Sequence, residues 1–183
     1  MKKTTSTSRT KATLKVALER ARELRIRHLV IASTGGRTAL ELTKMLPANF
    51  EAVCVTHHAG FKEFGRNELP DTVENKLAEQ GIPVLRTTHL FAGVERAIRL
   101  KVGGLGSAET IAFTYRTLGE GIKVAVEIAV MALDAGLIPH GIDVIAIAGT
   151  GSGADAAIVI RPAHSRQFFD TKIREVIVKP RTW

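Results

Sequence analysis

One cysteine, Cys54, in 183 residues excludes an internal disulfide and fits a reducing compartment. It lies inside an apolar strand pattern, where burial leaves a thiol inert rather than nucleophilic. Aromatic residues are only 5 % of the chain, and no recognition-helix, zinc or aromatic RNA-binding pattern accompanies them. No apolar run reaches the ~18 residues of a membrane span. The longest, Val124 to Leu133, is broken by Glu127. No signal-peptide apolar core follows the basic N-terminus, so the expected location is the cytoplasm, with no membrane contact. Acidic residues are in deficit, 18 against 26 Lys and Arg. That imbalance is local, because residues 1–25 carry eight basic and two acidic side chains. The basic charge therefore marks a tail and a first helix, not a nucleic-acid face. Nucleic acid is not an expected partner beyond weak, salt-sensitive contact.

What the chain does have is concentrated between Leu29 and Leu46. Leu29-Val30-Ile31-Ala32 is the uninterrupted apolar run of a strand buried on both faces. Thr34-Gly35-Gly36 ends it, since glycine adopts backbone angles that a Cβ resists. A helix follows from Arg37, with Ala39, Leu40, Leu42, Met45 and Leu46 on its apolar side and Pro47 beyond its end. The first N–H groups of such a helix lack partners, and its dipole is positive there. Ser33, Thr34 and Thr38 add hydroxyl donors, and Arg37 adds a guanidinium fork suited to phosphate oxygens. Three hydroxyls and an arginine exceed what a tight turn needs, so the stretch reads as a phosphate loop.

The rest of the chain alternates strands and helices. Residues 1–9 read as a disordered basic tail and 10–183 as one domain, without internal repeats or linkers. An amphipathic helix spans Thr10 to Leu24. Further strands are expected over Glu51–Thr56, Ile82–Thr88, Asp143–Ala148 and Ala156–Arg161, with a short one over Arg174–Val178. Helices are expected from Pro70 to Gln80, over Ala92–Lys101 with Val94, Ala97 and Ile98 inward, and after Ser107 as cap. The most apolar helix runs from Gly121 to Leu137. Its charged residues Lys123, Glu127 and Asp134, with Met131, fall near one line and read as a solvated face. The link Gly149 to Asp155 is too short for a crossover helix, so Ala156–Arg161 should run antiparallel to its neighbour. Together these imply an α/β fold, a three-layer α/β/α sandwich around a mostly parallel sheet.

The motif STGGRTA, the later DVIAIAGTGSGADAAIVIRPAHS and the order of elements between them resemble the C-terminal domain of pyruvate kinase. The likeness is closer to small stand-alone archaeal and bacterial proteins of that class, including VTHHAGF, THLFAGVERAI, MALDAGLIPHG and RPAHS. It implies strand order 3-2-1-4-5 with strand 5 antiparallel, and flavin mononucleotide as the ligand reported for such relatives. No catalytic barrel is present, so pyruvate kinase activity is not expected.

That order makes the first and fourth strands neighbours, with a ligand crevice beyond their C-terminal ends. Ser33, Thr34, Gly35, Gly36, Arg37 and Thr38 would then face Gly149, Thr150, Gly151, Gly153 and Asp155 across one rim. The second and third strands bring Thr56, His57, His58 and His89 to the same edge. Gly60, Phe61 and Phe91 lie just beyond, as flat apolar surface for an isoalloxazine ring. His28, His140 and His164 belong to the opposite edge. The glycines from 149 to 153 miss the dinucleotide fingerprint, because the third comes early and no helix follows. A metal at His57, His58 and His89 is not adopted: adjacent strand residues point to opposite faces, and no carboxylate or cysteine sits at ligand spacing. The expected partner is a small phosphorylated ligand, with a homo-oligomer left open. The function reads as ligand binding in a regulatory or carrier role. The alternative is a flavin-dependent oxidoreductase or phosphate-ester enzyme with His57, His58 or His89 as acid or base.

Overall fold

The computed structural model describes residues 6–182. In chain order it forms α1 (Ser6–Glu23), β1 (His28–Ala32), α2 (Arg37–Thr43), β2 (Glu51–Thr56), α3 (Asp71–Glu79) and β3 (Val84–Arg86). There follow α4 (Val94–Val102), α5 (Ser107–Arg116), α6 (Glu120–Asp134), β4 (Val144–Ala148), β5 (Ala156–Arg161), a 3₁₀ turn over Ser165–Asp170 and β6 (Lys172–Val178). One six-stranded sheet has the order β3-β2-β1-β4-β5-β6. β1, β2, β3 and β4 are parallel, while β5 runs antiparallel to β4 and to β6. The expected order and the antiparallel fifth strand are present, and β6 extends the sheet by one.

Period-2 alternation divides the strand side chains between two cores. Leu29 and Ile31 of β1, with Cys54, Ile145 and Ile147, pack under α1 and α2. Val30, with Val53, Val55, Val144 and Ala146, packs under α6. The central strands are therefore buried on both faces, which their continuous apolar composition requires. Because β1 and β4 are adjacent and parallel, the loops leaving both emerge side by side, and they form the floor of the candidate site.

Several local expectations need correction. Residues 6–9 are the first turn of α1 rather than disordered tail, and residues 1–5 of that tail lie outside the described residues. The turn has a tertiary anchor: Thr10 Oγ1 donates to Ser6 O at 2.9 Å and accepts from Ala154 N at 3.0 Å. β3 is three residues long, not seven. Val94 and Ile98 of α4 do not point inward but are 77 % and 55 % exposed, because none of the α4 side chains reaches the core. Ser107 is not the cap of α5. The Glu95 carboxylate takes that place, accepting from Ala108 N and Glu109 N, both at 3.2 Å. Phe91 is core, edge-on to Phe168 with ring centres 5.5 Å apart.

Candidate functional site

At the C-terminal edge of the parallel strands lies a cavity of about 610 Å³. Its floor is the loop between β1 and α2. Ser33 Oγ accepts from the backbone N–H of Thr38 at 3.1 Å and of Ala39 at 3.2 Å. Two of the N–H groups expected to face a ligand are thus already satisfied, and Ser33 serves as a cap. Gly35, Arg37 and Thr38 line the cavity. The side chain of Arg37 is exposed and forms no ion pair among the described residues. Gly36 does not line it. Its φ of 82° turns the chain into α2, and a Cβ there would lie 2.2 Å from Val73 Cγ1, so it is a packing position against α3.

The second wall comes from the ends of β2 and β3. Thr56 is buried, and its hydroxyl donates to Thr34 O at 2.7 Å, which pins the phosphate-type loop from behind. His57 lines the cavity with its Nε2 3.4 Å from Thr34 Oγ1 and its Nδ1 2.5 Å from Glu68 Oε2. Glu68 is also held by Lys62 Nζ at 3.0 Å. Burial pushes the Glu68 carboxyl up, but the His57 and Lys62 hydrogen bonds outweigh it and hold it below its ordinary value. The Phe61 ring centre is 3.9 Å from that of His57, and His89 is 5.1 Å from His57. Burial drives the His89 imidazole down to about 4; Glu127 opposes this, and His57, Lys123 and His58 reinforce it. His89 is therefore neutral at pH 7.

β2 ends at Thr56, so His57 and His58 stand in a loop and not on opposite faces of a strand. Both approach His89, at 5.1 and 5.5 Å between ring centres. His58 nevertheless stays out of the cavity, with Nδ1 2.7 Å from Ala59 O. Gly60 also lies outside it and closes the loop by donating its N–H to Arg66 O at 2.8 Å. Among the described residues no three His, Cys, Asp or Glu side chains are placed to hold one metal ion. Burial pushes the Cys54 thiol up to about 12, which keeps it protonated beneath the sheet.

The third wall was not legible as such. Lys123 and Glu127 of α6, expected to be solvated, are buried in the cavity wall. Lys123 Nζ is 2.5 Å from Glu127 Oε2, while Glu127 Oε1 accepts from Phe91 N at 3.0 Å. Val124, Ile128 and Met131 supply apolar surface between and beyond them. Only Asp134 of the original line is exposed, and it holds His164 Nδ1 at 2.9 Å, far from the site. At the outer rim stand Arg96 of α4 and Arg116 of α5. Arg116 is paired with Glu120 at 2.5 Å. Arg96 has a buried Nε without a partner among the described residues.

Gly149, Gly151, Ser152 and Gly153 complete the cavity from the β4 side. Thr150 points to solvent, and Asp155 faces inward to the loop, not to the ligand space. Asp155 Oδ2 accepts from Thr150 N at 3.2 Å and lies 3.9 Å from Arg9 Nη1. The two residues hold the loop shape from outside. His28 pairs with Glu51 at 3.4 Å and His140 stacks on His164 at 5.5 Å, both at the opposite edge as expected.

Residues 11–160 match the family model described as pyruvate kinase, alpha/beta domain.

Proposed function

The chain belongs to the pyruvate kinase alpha/beta domain family, and from that premise we propose that it binds a phosphate-bearing ligand, with flavin mononucleotide the best fit, in a carrier or regulatory role. The observation that carries this reading is a charge imbalance in the cavity wall. Of its four cations, Arg116 and Lys123 are neutralised by Glu120 and Glu127. Arg37 and Arg96 have no such carboxylate among the described residues. Two cavity-lining guanidinium groups without a carboxylate partner leave positive charge there uncompensated, which favours an anionic guest.

The other walls suit the rest of a flavin. A space of about 610 Å³ is within the range of small-molecule sites. Thr34, Arg37 and Thr38 would hold the phosphate. His57, Phe61 and His89 would meet the ring, with the neutral His89 able to donate or accept one hydrogen bond, and Met131 and Ile128 would cover it. When bound, flavin supplies one- and two-electron redox chemistry; these residues bind it, orient it and exclude water. The test is the visible spectrum of the protein purified from cells and after addition of flavin mononucleotide. Flavin bands that travel with the protein and leave on denaturation are expected. A protein that stays colourless on gel filtration after saturation with the mononucleotide would contradict the reading.

A further inference from the structure

Binding a phosphate does not require the hydrogen-bonded line that runs behind the loop. Glu68 Oε2, His57 Nδ1, His57 Nε2 and Thr34 Oγ1 follow one another at 2.5 Å and 3.4 Å across the imidazole. A carboxylate can only accept, so Nδ1 carries the proton toward Glu68, and in the neutral imidazole Nε2 is then an acceptor facing the threonine hydroxyl. Each member is held from outside the line. Lys62 grips the other oxygen of Glu68, Phe61 covers the imidazole, and Thr56 fixes the carbonyl of Thr34. Ser33 ties down the start of α2, so the loop presenting Thr34 is preorganised. Thr34 and Arg37 open onto the same cavity.

From this geometry we propose that Thr34 is a nucleophile toward phosphate monoesters, with His57 as its general base and Glu68 as the positioning residue that orients His57. A hydroxyl, a base within reach of it and a third group orienting the base form the recurring arrangement of nucleophilic catalysis, and the hydroxyl–base distance is often long before substrate arrives. The inference rests on the phosphate reading of the loop but not on the flavin. In the first step Thr34 Oγ bonds to phosphorus as the bond from phosphorus to the leaving alcohol oxygen breaks. The hydroxyl proton passes to His57 Nε2, while the departing oxygen, on the far side of phosphorus, takes a proton from water. In the second step water attacks the phosphothreonine from the side the alcohol left, and its proton passes to a phosphoryl oxygen. His57 returns the proton it took in the first step to Thr34 Oγ as inorganic phosphate leaves, so both residues are regenerated. Arg37 offsets charge on the phosphoryl oxygens in both steps.

A fluorophosphonate, a phosphorus electrophile that releases fluoride, reads the activated hydroxyl without knowledge of the natural ester. The full chain is incubated with it, and adduct site and rate are followed by peptide mass mapping. A single adduct on Thr34 is expected, lost in Thr34→Ala and kept in Thr34→Ser. His57→Gln should slow labelling on the order of 10²-fold or more. Glu68→Gln should slow it roughly tenfold or more, with Glu68→Asp restoring much of the rate. No adduct at Thr34, or an unchanged rate in His57→Gln, would overturn the proposal. Titration with flavin mononucleotide in parallel separates the two readings. A chain that binds flavin but takes no label loses the relay alone, whereas one that labels at Thr34 and ignores flavin keeps it.

Discussion

Lys123 Nζ stands 2.5 Å from Glu127 Oε2, with both side chains nearly out of solvent inside the most apolar helix of the chain. Burying such a pair costs desolvation that mutual attraction only partly returns, so each ion depends on the other. Glu127 gains a second bond from Phe91 N, and the ammonium lies 5.6 Å from the centre of the Phe91 ring. Lys123→Met should therefore destabilise the protein by about 3–5 kcal/mol, by leaving a carboxylate unpaired. Lys123→Met with Glu127→Gln should recover a large part of that loss, because no net charge then remains buried. Urea denaturation of the single and double variants measures the difference. Equal midpoints for Lys123→Met and wild type would show that the pair is solvated.

His89 gives stability a pH dependence of known sign. Its imidazole titrates near 4 in the folded protein against 6.5 ordinarily, first because it is buried. Between those values the unfolded chain binds the extra proton, so stability rises with pH across the window. The contribution is complete above about pH 6.5 and is lost as pH falls toward 4. Glu68 acts in the same direction only below its ordinary 4.5, since its folded value is lowered. The slope of the urea midpoint between pH 4.5 and 6.5 should flatten in His89→Gln. An unchanged slope would show that His89 does not set it.

Adjacent glycines in the loop should respond unequally to an added methyl. Gly36 has φ 82°, and its Cβ would fall 2.7 Å from Leu69 Cδ1 as well as against Val73. Gly36→Ala should cost on the order of 1–3 kcal/mol from strain and overpacking. The nearest heavy atom to a Cβ on Gly35 is Glu68 O at 3.9 Å, an ordinary contact. Gly35→Ala should leave the thermal midpoint nearly unchanged. Comparable losses in both would place Gly36 outside its packing role.

How much of this could be read from the sequence depended on whether the signal was local. The run Leu29 to Ala32 with its glycines placed β1, its turn and α2, because periodicity and backbone freedom are properties of neighbouring residues. The short link after Ala148 fixed the direction of β5 for the same reason. The α6 wall was misread since a charged line at helical spacing looks the same whether water or a cavity covers it. Arg96 and Arg116 gave no signal, because only the tertiary placement of α4 and α5 brings them to the rim. Asp155 and Thr150 belong to the loop, as expected, but are not among the residues lining the cavity. The α1 residues that anchor this loop, Arg9 on Asp155 and Thr10 on Ala154, lie more than a hundred positions away in sequence. Glu95 as the cap of α5 is a similar case, a local rule satisfied by a non-neighbour.

The most direct test of a phosphate-anchored site is the affinity for flavin mononucleotide relative to riboflavin, measured by quenching of flavin fluorescence in wild type and in Arg37→Ala with Thr38→Ala. The two ligands differ only in the phosphate, so the ratio isolates its contribution. Charge-assisted hydrogen bonds of about 1.5–3 kcal/mol each predict a preference of roughly tenfold or more per bond. Wild type should bind the mononucleotide far more tightly, and the double variant should lose most of that preference while its riboflavin affinity stays put. Equal affinities in wild type, or a preference that survives in the variant, would contradict a phosphate at Thr34 to Thr38.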